Sequence, residues 1–178
     1  MKGDLRTTEN DISTKLDQST SALNAGLGKV GKPEPPVPAK LIFSLWDVTA
    51  SADKPVLSKT VQPDDDGSFP VEFTFTNASE STADSIDIWV EVCGLCTFAK
   101  EPVGFEHPAG ASDQTRHRVI GTLNPGVSFE KETILVKSSV PNPFQIAFRY
   151  SCKTCGGKVS QNQFVIITQG RLLIPEHP

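Results

Sequence analysis

Phe144-Gln-Ile-Ala-Phe-Arg-Tyr-Ser-Cys-Lys-Thr-Cys-Gly-Gly157 is the stretch on which the reading of this chain turns. It reads as a strand that runs straight into a Cys-x-x-Cys turn. The same design occurs earlier, in Ile86-Asp-Ile-Trp-Val-Glu-Val-Cys-Gly-Leu-Cys96. There Ile86, Ile88, Val90 and Val92 point one way, and Asp87, Trp89, Glu91 and Cys93 the other, the period of a half-buried strand. The two units use all 4 cysteines of the chain.

Working outward, short strands alternate with Gly/Pro/Asn/Asp clusters from Lys40 onward, with no helical periodicity of useful length. Leu41-Ile-Phe-Ser-Leu-Trp46 opens the series. Asp64-Asp-Asp-Gly67 is a turn, after which Val71, Phe73 and Phe75 alternate with Glu72, Thr74 and Thr76. Asn77-Ala-Ser-Glu80 turns the chain into the strand from Ile86 to Val92. Residues 97–127 read as a long irregular segment with one short strand near His117-Arg-Val-Ile120. Leu123-Asn-Pro-Gly126 is a tight turn, and strands follow at Phe129–Lys137, Phe144–Ser151 and Phe164–Thr168, with Leu172, Leu173 and Ile174 extending an edge. About seven strands in this order predict an all-β fold, an immunoglobulin-like antiparallel β-sandwich over residues 40–178.

Residues 1–31 differ. Leu5, Ile12, Leu16, Leu23 and Leu27 are spaced 7, 4, 7 and 4, a repeat of 11 residues that lays a narrow apolar stripe on a helix. A single helix cannot bury such a stripe, so the spacing predicts a coiled-coil stalk over residues 5–27 and a homo-oligomer; a disordered Thr/Ser-rich tail is the other reading. Lys32-Pro-Glu-Pro-Pro-Val-Pro-Ala39 then fixes φ at four prolines and reads as a semi-rigid linker over residues 32–39.

Composition narrows function. Hydrophobic residues make up 37% of the 178 residues and the net charge is −4. No face-sized Lys/Arg cluster is visible, which argues against nucleic acid. No run of apolar residues is long enough to span a membrane, and residues 1–10 contain no apolar signal core.

The domain resembles the immunoglobulin-like modules of bacterial surface and adaptor proteins. In these a strand ending in Asn-x-Ser precedes a strand carrying tryptophan, and a Pro-Gly turn leads into a later strand. The corresponding residues are Thr76-Asn-Ala-Ser79, Trp89 and Pro125-Gly126. Tyr150-Ser-Cys152 is similar to the Tyr-x-Cys of antibody-type domains, but no cysteine lies between Val71 and Phe75, so the inter-sheet disulfide of that family is not carried over. Cys93-Gly-Leu-Cys-Thr-Phe-Ala-Lys-Glu-Pro-Val-Gly-Phe105 resembles a stretch in uncharacterised bacterial proteins built of a membrane anchor, a coiled coil and a β-domain. That resemblance implies a layout and no activity.

Three readings of the cysteines stand open: a zinc site, two local disulfides, or free thiols. Cys93, Cys96, Cys152 and Cys155 have the spacing of a four-thiolate zinc site. If the two strands that carry them are antiparallel neighbours, however, the knuckles lie about 25 Å apart at ~3.3 Å per residue, and disulfides Cys93–Cys96 and Cys152–Cys155 are the alternative. Zinc implies a cytoplasmic protein, disulfides a cell-surface or periplasmic one. A thiol redox site needs a Cys-x-x-Cys at a helix N-terminus, and both motifs follow strands.

The remaining candidates each have a plainer reading. Asp64, Asp65 and Asp66 offer calcium ligands but lack the alternating spacing of a calcium loop. Arg116, His117 and Arg118 offer an anion site or an exposed edge. Glu101 and Glu106 flank Pro102 as an acid/base pair without a supporting nucleophile. Trp46 and Trp89 read as core or sheet-face residues, and Asn77-Ala-Ser79 as a glycosylation sequon for a secretory setting. The expected function is a non-enzymatic binding or scaffolding module with an unidentified protein partner. The alternatives are a thiol redox or zinc-dependent enzyme and a structural spacer of a surface or phage-type assembly.

Overall fold

The computed structural model describes residues 15–21, 36–46, 48–49, 56–139, 143–156 and 161–170. The chain divides into two compact units, Met1–Pro36 and Val37–Pro178. In the first, residues 15–21 are helical, with Leu16 66% exposed. The other stripe residues, Leu5, Ile12, Leu23 and Leu27, lie outside the described residues, as do Leu172, Leu173 and Ile174. Among the described residues no helix is long and apolar enough to cross a membrane.

The second unit is an immunoglobulin-like β-sandwich. Its strands are β1 Leu41–Leu45, β2 Val48–Thr49, β3 Val56–Val61, β4 Phe69–Asn77, β5 Ala83–Val92, β6 Cys96–Phe98, β7 Thr115–Leu123, β8 Glu132–Ser138, β9 Phe144–Ser151 and β10 Gln161–Gln169. One sheet has the order β2-β1-β4-β8-β6, the other β3-β10-β9-β5-β7. Alternation explains why these segments pair. In β4 Phe69, Val71, Phe73, Phe75 and Asn77 are buried, and the residues between them are half-exposed. β9 buries Phe144, Ile146, Phe148 and Tyr150 in the same way. Each sheet thus offers one apolar face, and stacking the two faces removes both from water.

The core is aromatic. Phe43 lies 4.9 Å from Phe148 and 5.3 Å from Phe75. Phe73 stands 5.1 Å from Phe148, and Tyr150 4.8 Å from Phe75. Burial pushes the Tyr150 phenol up from 10.0 to about 12.

The structure departs from the sequence reading in three ways. Among the described residues ten strands are present where about seven were expected, the additions being β2, β3 and β6. The fold is not wholly antiparallel, because β3 runs parallel to β10, with Val56 opposite Phe164. The short strand expected near 117–120 extends from Thr115 to Leu123. The polyproline segment also ends inside the sandwich. Ala39 is 5% exposed and its N–H donates to Thr154 O, while the Ser81 hydroxyl donates to Val37 O.

Candidate functional site

Two side-chain groups bear on function: the cysteine knuckles and a row of side chains on the outer face of the second sheet. The cysteines are joined as Cys93–Cys96 and Cys152–Cys155, with Cα–Cα distances of 4.9 and 5.0 Å. Cys96 and Cys152 are buried, their partners half-buried. Of the readings left open for Cys93, Cys96, Cys152 and Cys155, this arrangement takes the two disulfides and lends no support to one zinc site within a single chain. β5 and β9 are antiparallel neighbours, with Val92 opposite Ile146 beside the first knuckle and Asp87 opposite Ser151 beside the second. At ~3.3 Å per residue those pairs are about 17 Å apart, against Zn–S bonds of about 2.3 Å.

Each knuckle fastens a chain crossing. Cys93 directly follows β5 and Cys96 opens β6, so the first disulfide spans the step from one sheet to the other. Its tip accepts two bonds at Leu95 O, from the N–H and the hydroxyl of Ser139. The second holds the starts of two strands. Thr154 O accepts from Ala39 N, Asp84 O accepts from Lys153 N, and the Thr154 hydroxyl donates to Thr82 O and accepts from Asp84 N.

The outer-face row crosses four strands and ends on a loop residue. Pairing aligns Asn162 of β10, Arg149 of β9, Trp89 of β5 and His117 of β7, and His117 is bridged to Glu106 beyond. The Arg149 guanidinium lies 4.9 Å from the Trp89 ring centroid. The His117 ring sits 4.3 Å from that indole, tilted by 36°. Trp89 is therefore a sheet-face residue packed between Arg149 and His117 in the strand order. The His117 Nε2–H donates to Asp87 Oδ1 at 2.5 Å, while Nδ1 faces Glu106 Oε1 at 3.5 Å. These carboxylates stand on opposite nitrogens of the imidazole, so they do not converge on one point. Among the described residues no group of three or more His, Cys, Asp and Glu side chains has metal-holding geometry.

The neighbours of His117 on β7 face the other way. Arg116 and Arg118 pair with buried Val90 and Ile88 and so enter the open side of the sandwich. Arg116 makes a two-point contact with Glu101, Nε to Oε1 at 2.6 Å and Nη2 to Oε2 at 3.0 Å, and lies over Phe98. Arg118 is paired with Glu132 and lies between Phe105 and Phe129. Gly104 has φ 73°, and a Cβ there would sit 2.9 Å from Arg118 Cζ, so glycine lets this clasp close. The anion reading of the Arg-His-Arg run is thereby corrected, because both arginines spend their charge on internal carboxylates. The acid/base reading of Glu101 and Glu106 fails for the same reason: one answers Arg116, the other His117.

Two further readings are resolved. Asn77 is fully buried. Its Nδ2 donates to Ser81 O and Leu123 O, and its Oδ1 accepts from the N–H and hydroxyl of Ser79. The sequon nitrogen is therefore committed and out of reach in the folded domain. Asp66 closes the Asp64–Gly67 turn by accepting from the Ser68 hydroxyl and N–H, with Lys137 at 3.2 Å. Those bonds, with Lys137 as the smaller influence, hold its carboxyl down at about 2, below the ordinary 3.8. Nothing in the residue types of Trp89, His117 and Arg149 announced their alignment; it follows from strand register, which a single sequence does not print.

No family model matches the chain, and no curated protein matches it. Among solved structures it is similar to the secreted serine protease VesC from Vibrio cholerae, at 16% identity and a TM-score of 0.43, over 64% of this chain and 21% of that one. The chain thus spans about a fifth of the protease's length. It is also similar to a cohesin–dockerin complex from Clostridium thermocellum (11% identity, TM-score 0.40, 77% of this chain and 100% of that one). A third likeness is to AggA, the major fimbrial subunit from Escherichia coli (11% identity, TM-score 0.38, 78% and 100%). None of these passes a function to this chain.

Proposed function

We propose that the protein is a non-enzymatic binding module of an oxidising compartment, and that it meets its partner through the outer face of the β3-β10-β9-β5-β7 sheet. The observation that carries this is the row Arg149–Trp89–His117. It holds aromatic and charged side chains in place on a sheet face, away from the core. Aromatic and arginine side chains fixed in this way lose little rotamer freedom on contact, which favours binding. The two disulfides fit an oxidising setting.

Residues 5–27 complete the reading as a coiled-coil stalk that gathers two or three copies, raising avidity without any new contact. Leu16, exposed on a helical segment, supports it. Cross-linking the full chain beside a Leu16→Asp variant tests the stalk, and equal monomer bands in both would remove it.

The contact face is tested by amide chemical-shift mapping of the full chain as cell-surface extract is titrated in. Shifts at Asp87, Trp89, His117 and Arg149 are expected. Shifts confined to residues 97–114 or to the knuckles would overturn the assignment. A thiol count on chain purified without reductant should find none free; a full count of free thiols would sink the compartment.

A further inference from the structure

Three described arginines have well-defined surroundings, and they differ in one respect. Arg116 and Arg118 are matched to Glu101 and Glu132. Arg149 is exposed on the central strand β9, and among the described residues its guanidinium meets the Trp89 indole and no carboxylate. The carboxylates nearest in the register are otherwise placed: Asp87 and Glu106 both address His117, and Glu91 lies two positions along β5. The guanidinium thus keeps its donors free while one flank is fixed against an aromatic ring. Such a planar fork, already oriented, suits a bidentate carboxylate.

Its surroundings narrow the class of ligand. Asn162 lies opposite Arg149 on β10, and Ser151 follows on the same face of β9; among the described residues neither side chain has a hydrogen-bond partner. Asp87 and Glu91, diagonal to Arg149 on β5, place acceptors beside the free donors. A doubly charged phosphate would be repelled by these two carboxylates at its full charge, whereas a singly charged carboxylate set among hydroxyls is repelled less and finds a donor or an acceptor for each group. A peptide strand has little to grip, because β9 is paired on both sides, to β10 and to β5, and its backbone groups are spent.

We infer that this face binds a uronate-type saccharide, with the sugar carboxylate on Arg149 and its hydroxyls shared among Asn162, Ser151 and the flanking carboxylates. The inference rests on the outer face being the contact surface. The test uses the full chain, with an oligogalacturonate as probe, its methyl ester as the uncharged counterpart, and a polyglutamate peptide as the acidic-protein arm. The readouts are the Arg149 Nε–H and Trp89 indole N–H resonances. Saturable shifts of both are expected with the oligogalacturonate and with neither of the other probes. Arg149→Gln should weaken binding by about tenfold or more, and Arg149→Lys should not restore it, because a point charge lacks the fork. Both substitutions fall at an exposed site and should leave the melting temperature unchanged. Equal binding of the methyl ester or of polyglutamate, or no saturable shift at millimolar oligogalacturonate, overturns the ligand class. If extract mapping still lands on Trp89 and His117 in that case, only the saccharide is lost and the contact face stands.

Discussion

Asn77 binds four parts of the chain together. It terminates β4, holds the 79–81 turn through both ends of its amide, reaches the last residue of β7, and exchanges backbone bonds with Gly126 and Val127. Asn77→Ala would remove the Nδ2 donor from Leu123 O and leave Ser81 O to the Ser79 hydroxyl alone, and a loss of about 3 kcal/mol is expected in denaturant unfolding. Asp66 provides a second test, in pH. Its carboxyl is lowered from 3.8 to about 2 on folding, so the unfolded chain takes up the proton first as pH falls. The stability it contributes is whole above about pH 4, declines below that, and is gone once the pH passes below about 2. The gap in melting temperature between wild type and Asp66→Ala should close across that window, and a gap that persists at the acid end would refute the assignment. The Asp64–Gly67 turn was legible from sequence because turn chemistry is local. The burial of Asn77 was not, since its partners at Leu123 and Val127 lie some fifty residues downstream.

Strands show the same division between local and distant causes. β1, β4, β5 and β9 were readable because their side chains alternate between a buried and an open face. β3 was missed because it buries only Val61 fully and carries Ser58, Lys59 and Thr60 in its middle. Its place is fixed by β10, a partner no local pattern reveals. Both edges of the second sheet carry cations on inward register positions. Lys59, opposite buried Ile167, lies 5.7 Å from the Trp46 ring, and Arg116 and Arg118 fill the other side. An inward charge makes a poor template for edge-to-edge pairing. The knuckles are tight local loops, so each disulfide restrains the unfolded chain little. Cys152→Ser with Cys155→Ser should cost about 2 kcal/mol. The loss should appear first as faster amide exchange at Ala39 and Asp84, the two strand starts that the knuckle holds. Protection unchanged at both would mean that the turn stands without its sulfur link.

The whole sandwich depends on one shared aromatic layer. Phe43, Phe73 and Phe75 of the first sheet meet Phe148 and Tyr150 of the second. Phe148→Ala leaves a cavity against Phe43 and Phe73 together, and about 3–5 kcal/mol should be lost in equilibrium unfolding. The sequence made this layer visible as phenylalanines at alternate positions. The outer-face row was invisible, because Asn162, Arg149, Trp89, His117 and Glu106 come from five separate stretches and are aligned by register alone. The parallel pairing of β3 with β10 has a consequence in time. Val56 waits for Phe164, synthesised about a hundred residues later. Until β10 is made, β3 has no mate and the second sheet stays two strands short at that margin. Such long-range closure is slow, so the half-made domain is at its most adhesive just before the ribosome delivers β10.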